Sequence, residues 1–272
     1  MLLKLKIRSR VYVSASLLLA SLSSHAELTS YTSNGVDLVY SSVSDVTWTK
    51  DANLLGSMIA SQGFDTVVNA IIASSPTITN TPNGYISYND HSFDRLNSIY
   101  TVTESDFVDT TGLTTWWGAM AFANYLNSIN YGGSSQWRLP TAAYIGNDAY
   151  NTNTNGVIEG DELTELFYHE LKGEPYYSVP DTITFDNETS IFWTGTELAV
   201  DVLPFGRYQA WAFINLYGFQ FDKFKDASSH AWVVNSGQIA AVPEPDSLVM
   251  LLVGLGLIGL ARRNNQSQRA SV

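Results

Sequence analysis

Trp137-Arg138-Leu139-Pro140-Thr141 is the stretch on which the reading of the fold turns. It sets a lone arginine between a large aromatic side chain and a Leu-Pro step that interrupts regular structure. An arginine so placed typically pairs with a carboxylate and ties a loop to a sheet, with the nearby aromatics packed as core or against the guanidinium. Glu197 is the expected partner. Trp48, Trp137, Trp193, Trp211 and Trp232 are read the same way, as core fillers rather than sugar platforms. The adjacent Trp116 and Trp117 cannot share one helical face, so one of them is expected to be partly exposed.

Outward from this motif the chain runs through strands, then helices, then strands. Val36, Leu38, Tyr40, Val46 and Trp48 alternate as a pair of short strands. Phe64, Val67, Val68, Ile71 and Ile72 follow the spacing of an amphipathic helix limited by Pro76. Residues 74–92 are rich in Ser, Thr, Asn and Pro and read as a long surface loop. A second helix is predicted over 115–129, ended by Gly132-Gly133, and a third over 162–171, where Leu163, Leu166, Phe167 and Leu171 share a face. Strand-like runs follow at 191–196, 209–217 and 230–234. The expected fold is α+β, a single domain with an antiparallel sheet and two or three helices, in which the terminal strands close one sheet.

Both ends of the chain read as targeting segments. Lys4, Lys6, Arg8 and Arg10 precede an apolar run over 11–22 and the small-residue site Ser24-His25-Ala26, so 1–26 is expected to be a signal peptide cut by signal peptidase. At the other end Pro243-Glu244-Pro245 is followed by an apolar run at 248–261 and then by Arg262 and Arg263. Fourteen residues of helix span roughly 21 Å, short of the ~30 Å that a stable membrane helix needs, which suits a transient anchor with its C-terminus on the cytoplasmic side. Residues 242–272 strongly resemble the PEP-CTERM sorting signal of Gram-negative bacteria. That resemblance implies recognition by an exosortase, cleavage near the triplet, and delivery to the cell surface or an exopolysaccharide matrix.

The portion between, 27–241, carries a second resemblance. Val46-Thr47-Trp48-Thr49-Lys50-Asp51-Ala52-Asn53-Leu54, the helix from Trp116 to Leu126, Trp137-Arg138-Leu139-Pro140-Thr141, Glu162-Leu163-Thr164-Glu165-Leu166-Phe167, Phe192-Trp193-Thr194-Gly195-Thr196-Glu197 and Ala231-Trp232-Val233-Val234 occur in the order seen in Lcl C-terminal-type domains. These domains, long catalogued as of unknown function, resemble the C-type-lectin-like fold and the formylglycine-generating sulfatase modifiers. The resemblance implies a C-type-lectin-like architecture, with about 74–110 as a less-matched insertion. Asn235 departs from the family, which often has arginine there, so the role of that arginine does not transfer.

Charge narrows the partners. The whole chain is formally −12, with 14 Lys and Arg against 26 Asp and Glu. Four of the cations precede residue 27 and three follow 261, while Glu244 and Asp246 are the acids of the tail, so 27–241 holds seven cations against 24 acids, or −17. Such a field repels nucleic acid and anionic polymers unless a cation bridges them, and favours neutral or cation-bridged polysaccharide. With no cysteine there is no disulfide, thiol nucleophile or thiolate metal site.

The sharpest chemical signal is the run from Asn151 to Glu162. Asn151, Asn153, Asn155, Val157, Glu159 and Glu162 occupy the ligand places of an EF-hand loop, with Gly156 at its turn. Asn in place of the usual first Asp makes any calcium site weak, and an Asn-rich turn capping the helix at Glu162 explains the same residues. Catalytic signatures are lacking: there is no nucleophile elbow, zinc motif or phosphate loop, and His91, His169 and His230 have no ligand neighbours at useful spacing. Glu165 and His169, four apart, are expected to be a solvated pair. The expected function is a non-enzymatic carbohydrate- or matrix-associating surface module. A matrix-polysaccharide hydrolase and a purely structural surface protein are the alternatives.

Overall fold

The alternation at the start of the exported portion folds as an antiparallel meander. In the computed structural model, which describes residues 28–79, 99–143, 161–174, 183–198 and 209–240, β1 (Leu28–Ser33), β2 (Val36–Ser41) and β3 (Val46–Thr49) lie side by side. The first turn is Asn34-Gly35, with φ of 48° and 74°, the left-handed backbone that lets a two-residue hairpin follow the twist of its strands. The far end of the chain completes the sheet: β12 (Val234–Ser236) pairs antiparallel with β3 and with β8 (Trp137–Arg138), giving the order β1-β2-β3-β12-β8. First and last strands thus close one antiparallel sheet, as the order of elements predicts.

Helices pack against this sheet. α1 (Leu54–Gln62) and α2 (Phe64–Ser74) are separate helices divided at Gly63, and α2 buries Val67, Val68 and Ile71. α3 (Trp116–Ser128) is started by Thr115, whose hydroxyl accepts a hydrogen bond from Gly118 N at 3.2 Å. α4 (Glu162–Glu165) runs on into a π turn, Leu166–Glu170, closed by Leu171 N to Leu166 O at 2.9 Å. The described residues therefore hold four α-helical stretches rather than two or three. The Ser- and Thr-rich segment after α2 is also not all loop: β4 (Thr77–Thr79) pairs with β5 (Ile99–Thr101). A further small ladder joins β6 (Phe107–Val108) to β7 (Leu113–Thr114).

The later strands form a second antiparallel sheet of β9 (Ile191–Glu197), β10 (Gln209–Ile214) and β11 (Phe219–Phe224), ordered β11-β10-β9. β11 lies beyond the strand-like runs expected from sequence, although Phe219 and Phe221 alternate with Gln220 and Asp222. The run at 230–234 needs the opposite correction, since regular pairing begins only at Val234. Its β-branched and aromatic residues cross between the sheets instead. Ser229 O accepts from Thr114 N, His230 O from Trp193 N and Val233 O from Thr49 N, so each step satisfies a different strand.

Two large apolar clusters flank the strands, and Ala142, Leu198 and Trp211 form a small third. Leu38, Trp137, Trp193, Ala212 and Val233 join α1, α2 and α3 in one, while Val39, Trp48, Phe192, Phe213, Trp232 and Val234 join Leu163, Leu166 and Phe167 in the other. Neighbours such as Leu38 and Val39 fall into different clusters because successive strand side chains point to opposite faces. Burial on both faces leaves no water-facing side for β3, whose four residues are all buried. Trp48, Trp137, Trp193, Trp211 and Trp232 are indeed core residues. The expectation for Trp116 and Trp117 is overturned: both are buried, because α3 is covered on two sides. Trp116 donates Nε1–H to Thr194 O at 2.8 Å, whereas Trp117 stacks on Tyr100 with ring centres 4.0 Å apart.

Candidate functional site

Arg138 makes the ion pair that its motif calls for, but with a different acid. Its Nη1 and Nη2 donate to Oε2 and Oε1 of Glu162 at 2.8 and 2.6 Å, a two-pronged pair, and Thr141 N donates to the same Oε2 at 2.8 Å. Glu197, the expected partner, instead pairs with Lys225. The reason is geometric: Pro140 accepts from Gly195 N and carries the chain past β9, and Leu139-Pro140-Thr141 then meets the first turn of α4, where Glu162 sits. Trp137 donates Nε1–H to Tyr131 O at 2.9 Å and Leu139 is buried, so the motif is anchored on both sides. Asn235 is 4 % exposed, accepts from Ser134 Oγ at 2.6 Å and donates to Ser236 O at 2.8 Å. A neutral amide thus fills position 235.

The Lys225–Glu197 pair joins the turn after β11 to the end of β9. Lys225 is 1 % exposed, with Nζ 4.4 Å from the centre of the Trp116 ring, and burial pushes its pKa down while Glu197 opposes the shift. Lys223, two residues earlier on β11, lies 5.5 Å from the Trp193 ring and donates to Ser228 O and Ser229 Oγ. Both lysines are thereby held in structural contacts.

The acidic helix docks on the β10–β11 hairpin. Gln220, fully buried, donates to Asp161 Oδ2 and to Thr164 Oγ1, and Tyr168 donates to Gly218 O at 2.7 Å. Burial pushes the Asp161 carboxyl up to about 6, opposed by hydrogen bonds from Thr164. Burial likewise pushes Glu170 up to about 7, with the Glu165 charge adding and Ser41 and Lys172 opposing. Glu165 is 7 % exposed and raised by burial, so it is not half of a solvated pair with His169; the π turn rolls its side of the helix inward. Sequence periodicity does not reveal this network, because it counts polar residues as outward-facing.

These shifts fix the sign of the pH dependence. A carboxyl raised by folding contributes stability that is present below its ordinary pKa and is lost as pH rises through its folded value. Asp161 and Glu170 should therefore make the metal-free protein less stable as pH climbs from about 4 to about 7, by a combined ~2–4 kcal/mol after discounting for solvent screening. His230, lowered by burial, acts oppositely as pH falls below its ordinary range. Thermal unfolding in EDTA should show stability falling from about pH 4 to about pH 7, and Glu170→Gln should flatten that fall.

At the tip of that hairpin Leu216 and Tyr217 are 41 % and 37 % exposed, and the Tyr217 ring stacks on Phe219 with centres 5.6 Å apart. Of the candidate calcium ligands, Asn151, Asn153, Asn155, Val157 and Glu159 lie outside the described residues, as do the signal peptide, the Pro243-Glu244-Pro245 triplet, the apolar run at 248–261 and Arg262-Arg263. Glu162 is described, and both its oxygens are engaged by Arg138. Among the described residues no group of three or more His, Asp and Glu converges on a metal position, and no helix is long and apolar enough to cross a membrane.

No curated protein and no solved structure matches the chain. Residues 241–265 match the family described as the PEP-CTERM protein-sorting motif, taking in the proline triplet, the apolar run and the arginine pair. The chain therefore carries a PEP-CTERM sorting signal and is an exported protein of the cell envelope, directed to its destination by an exosortase.

Proposed function

We propose that the exported portion is a non-enzymatic module, C-type-lectin-like in the manner of the Lcl C-terminal-type domains, which associates with carbohydrate in the matrix around a Gram-negative cell. The observation that carries this reading is the aromatic hairpin tip, where Leu216, Tyr217 and Phe219 gather apolar and aromatic surface at one solvent-facing point. The acidity of 27–241 favours a neutral or cation-bridged polymer over an anionic one. Support for a non-enzymatic role comes from the cations: Arg138, Lys223 and Lys225 are each committed to a structural contact. One observation favours a matrix-polysaccharide hydrolase instead, since Glu170 is pushed to about 7, the range of a general acid. Its two oxygens, however, are shielded from solvent.

The test is binding of the full chain, in detergent, to exopolysaccharide isolated from the producing bacterium, in calcium and in EDTA, with released reducing sugar followed in parallel. Binding without release, weakened roughly tenfold by Tyr217→Ala, is the expected result. Loss of binding in EDTA would bring in the cation-bridged form and the candidate loop from Asn151 to Glu162. Sugar release would establish the hydrolase, and neither binding nor release would leave a structural surface protein.

A further inference from the structure

The π turn after α4 gathers acids that the rest of the fold leaves without donors. An α-helix would set residues five apart on well-separated faces. The wider π turn, with about 4.4 residues per turn, brings Glu165 and Glu170 toward one side, and such turns often mark functional sites. Glu165 is 7 % exposed, and its Oε1 is buried with no hydrogen-bond partner. Both Oε1 and Oε2 of Glu170 are buried without a partner, although its stem is partly exposed, which reverses the usual disposition of a long charged side chain. The charge of Glu165 also acts on Glu170.

The charges of His169 and Lys172 act on Glu165 and Glu170 from a distance, but neither forms an ion pair with them. Ser41 is fully buried and its hydroxyl acts on Glu170, while its Oγ accepts from Ser44 N at 3.1 Å and lies 2.8 Å from Ser44 Oγ, with either hydroxyl able to donate. Lys172, the nearest ammonium, donates to His169 O at 2.5 Å. Arg138 is taken by Glu162. Three buried carboxylate oxygens without a hydrogen-bond partner carry a large desolvation cost when ionised, and a bound cation is one way a fold removes it.

We propose that Glu165 and Glu170, with the Ser41 hydroxyl, form a binding site for a hard divalent cation of the calcium type. Two carboxylates balance its charge, an all-oxygen set suits it, and water completes the coordination. With two acids rather than three or more, the site belongs to the weak extracellular class, with a dissociation constant on the order of 0.1–1 mM. It is separate from the run of Asn151 to Glu162, and it does not depend on the glycan reading.

The test is thermal unfolding of the full chain in detergent, first stripped with EDTA and then titrated with calcium chloride. At calcium about tenfold above its dissociation constant, Tm should rise by roughly 3–6 °C. The variant carrying Glu165→Gln and Glu170→Gln should lose that rise while melting no lower than the parent in EDTA. The variant carrying Asn151→Ala and Asn153→Ala should keep it. Absence of any rise in the parent overturns the proposal, as does a rise that survives the paired glutamine changes or disappears with the asparagine changes. Should the paired variant fail to fold, Glu170→Gln alone decides: a roughly tenfold weaker calcium response supports the site, and an unchanged one overturns it.

Discussion

Trp232→Ala should be among the most destabilising single substitutions in the described core, costing about 3–5 kcal/mol. The residue is 1 % exposed and sits where the two sheets meet. Its ring centre lies 4.8 Å from that of Trp48 on β3, 4.8 Å from Phe185 and 5.1 Å from Phe192 on β9. Its Nε1–H donates to Thr49 O at 3.0 Å. Truncation opens a cavity among three rings and leaves a buried carbonyl without that donor, and neither loss is easily relaxed between two hydrogen-bonded sheets. Trp232→Phe separates the terms: it keeps most of the ring contact and loses the hydrogen bond, so about 1–2 kcal/mol is expected. Denaturant unfolding of both variants measures the difference, and equal losses would show that packing around the indole is not the main contribution.

Arg138→Ala should cost about 2–4 kcal/mol, seen as a fall in Tm of roughly 5–15 °C. The side chain of Glu162 is 9 % exposed and that of Arg138 is 34 % exposed, so the pair is partly buried and its acid is the more enclosed partner. Removing the guanidinium leaves a nearly buried carboxylate with only Thr141 N as a donor. Glu162→Gln should be milder than Arg138→Ala, because it removes the charge along with the partner. A double-mutant cycle isolates the pair, and coupling near zero would show that Arg138 acts only through the packing of its stem. Glu197→Gln should leave this coupling unchanged, since that acid serves Lys225.

Much of this architecture is legible in local chemistry. The spacing of Val67, Val68 and Ile71 locates α2 because it expresses a single buried face, whereas alternation at Leu38, Tyr40 and Val46 locates the opening strands although β3 is buried on both faces. Single-face logic fails for α3. Trp116 and Trp117 cannot be assigned from one helix, since the cover over each comes from elements far away in sequence. β11 escapes notice because Gln220 and Lys225, polar residues in its vicinity, are buried by partners that only the fold supplies. Glu165 misleads for the same reason, its exposure being set by a π turn rather than by spacing.

The candidate site divides along this line. That Arg138 needs a carboxylate follows from its charge and its aromatic setting; which carboxylate it takes depends on how Pro140 carries the chain past β9 to the start of α4. The sorting signal is different in kind, because it is matched as a linear order of proline, apolar and arginine segments. Sequence by itself thus determined the export and exosortase sorting of this protein, its acidity and its α+β pattern. Only the tertiary structure decided the ion-pair partners, the burial of both Trp116 and Trp117, and the donor-free oxygens of Glu165 and Glu170, since desolvation and pairing depend on neighbours brought from distant parts of the chain.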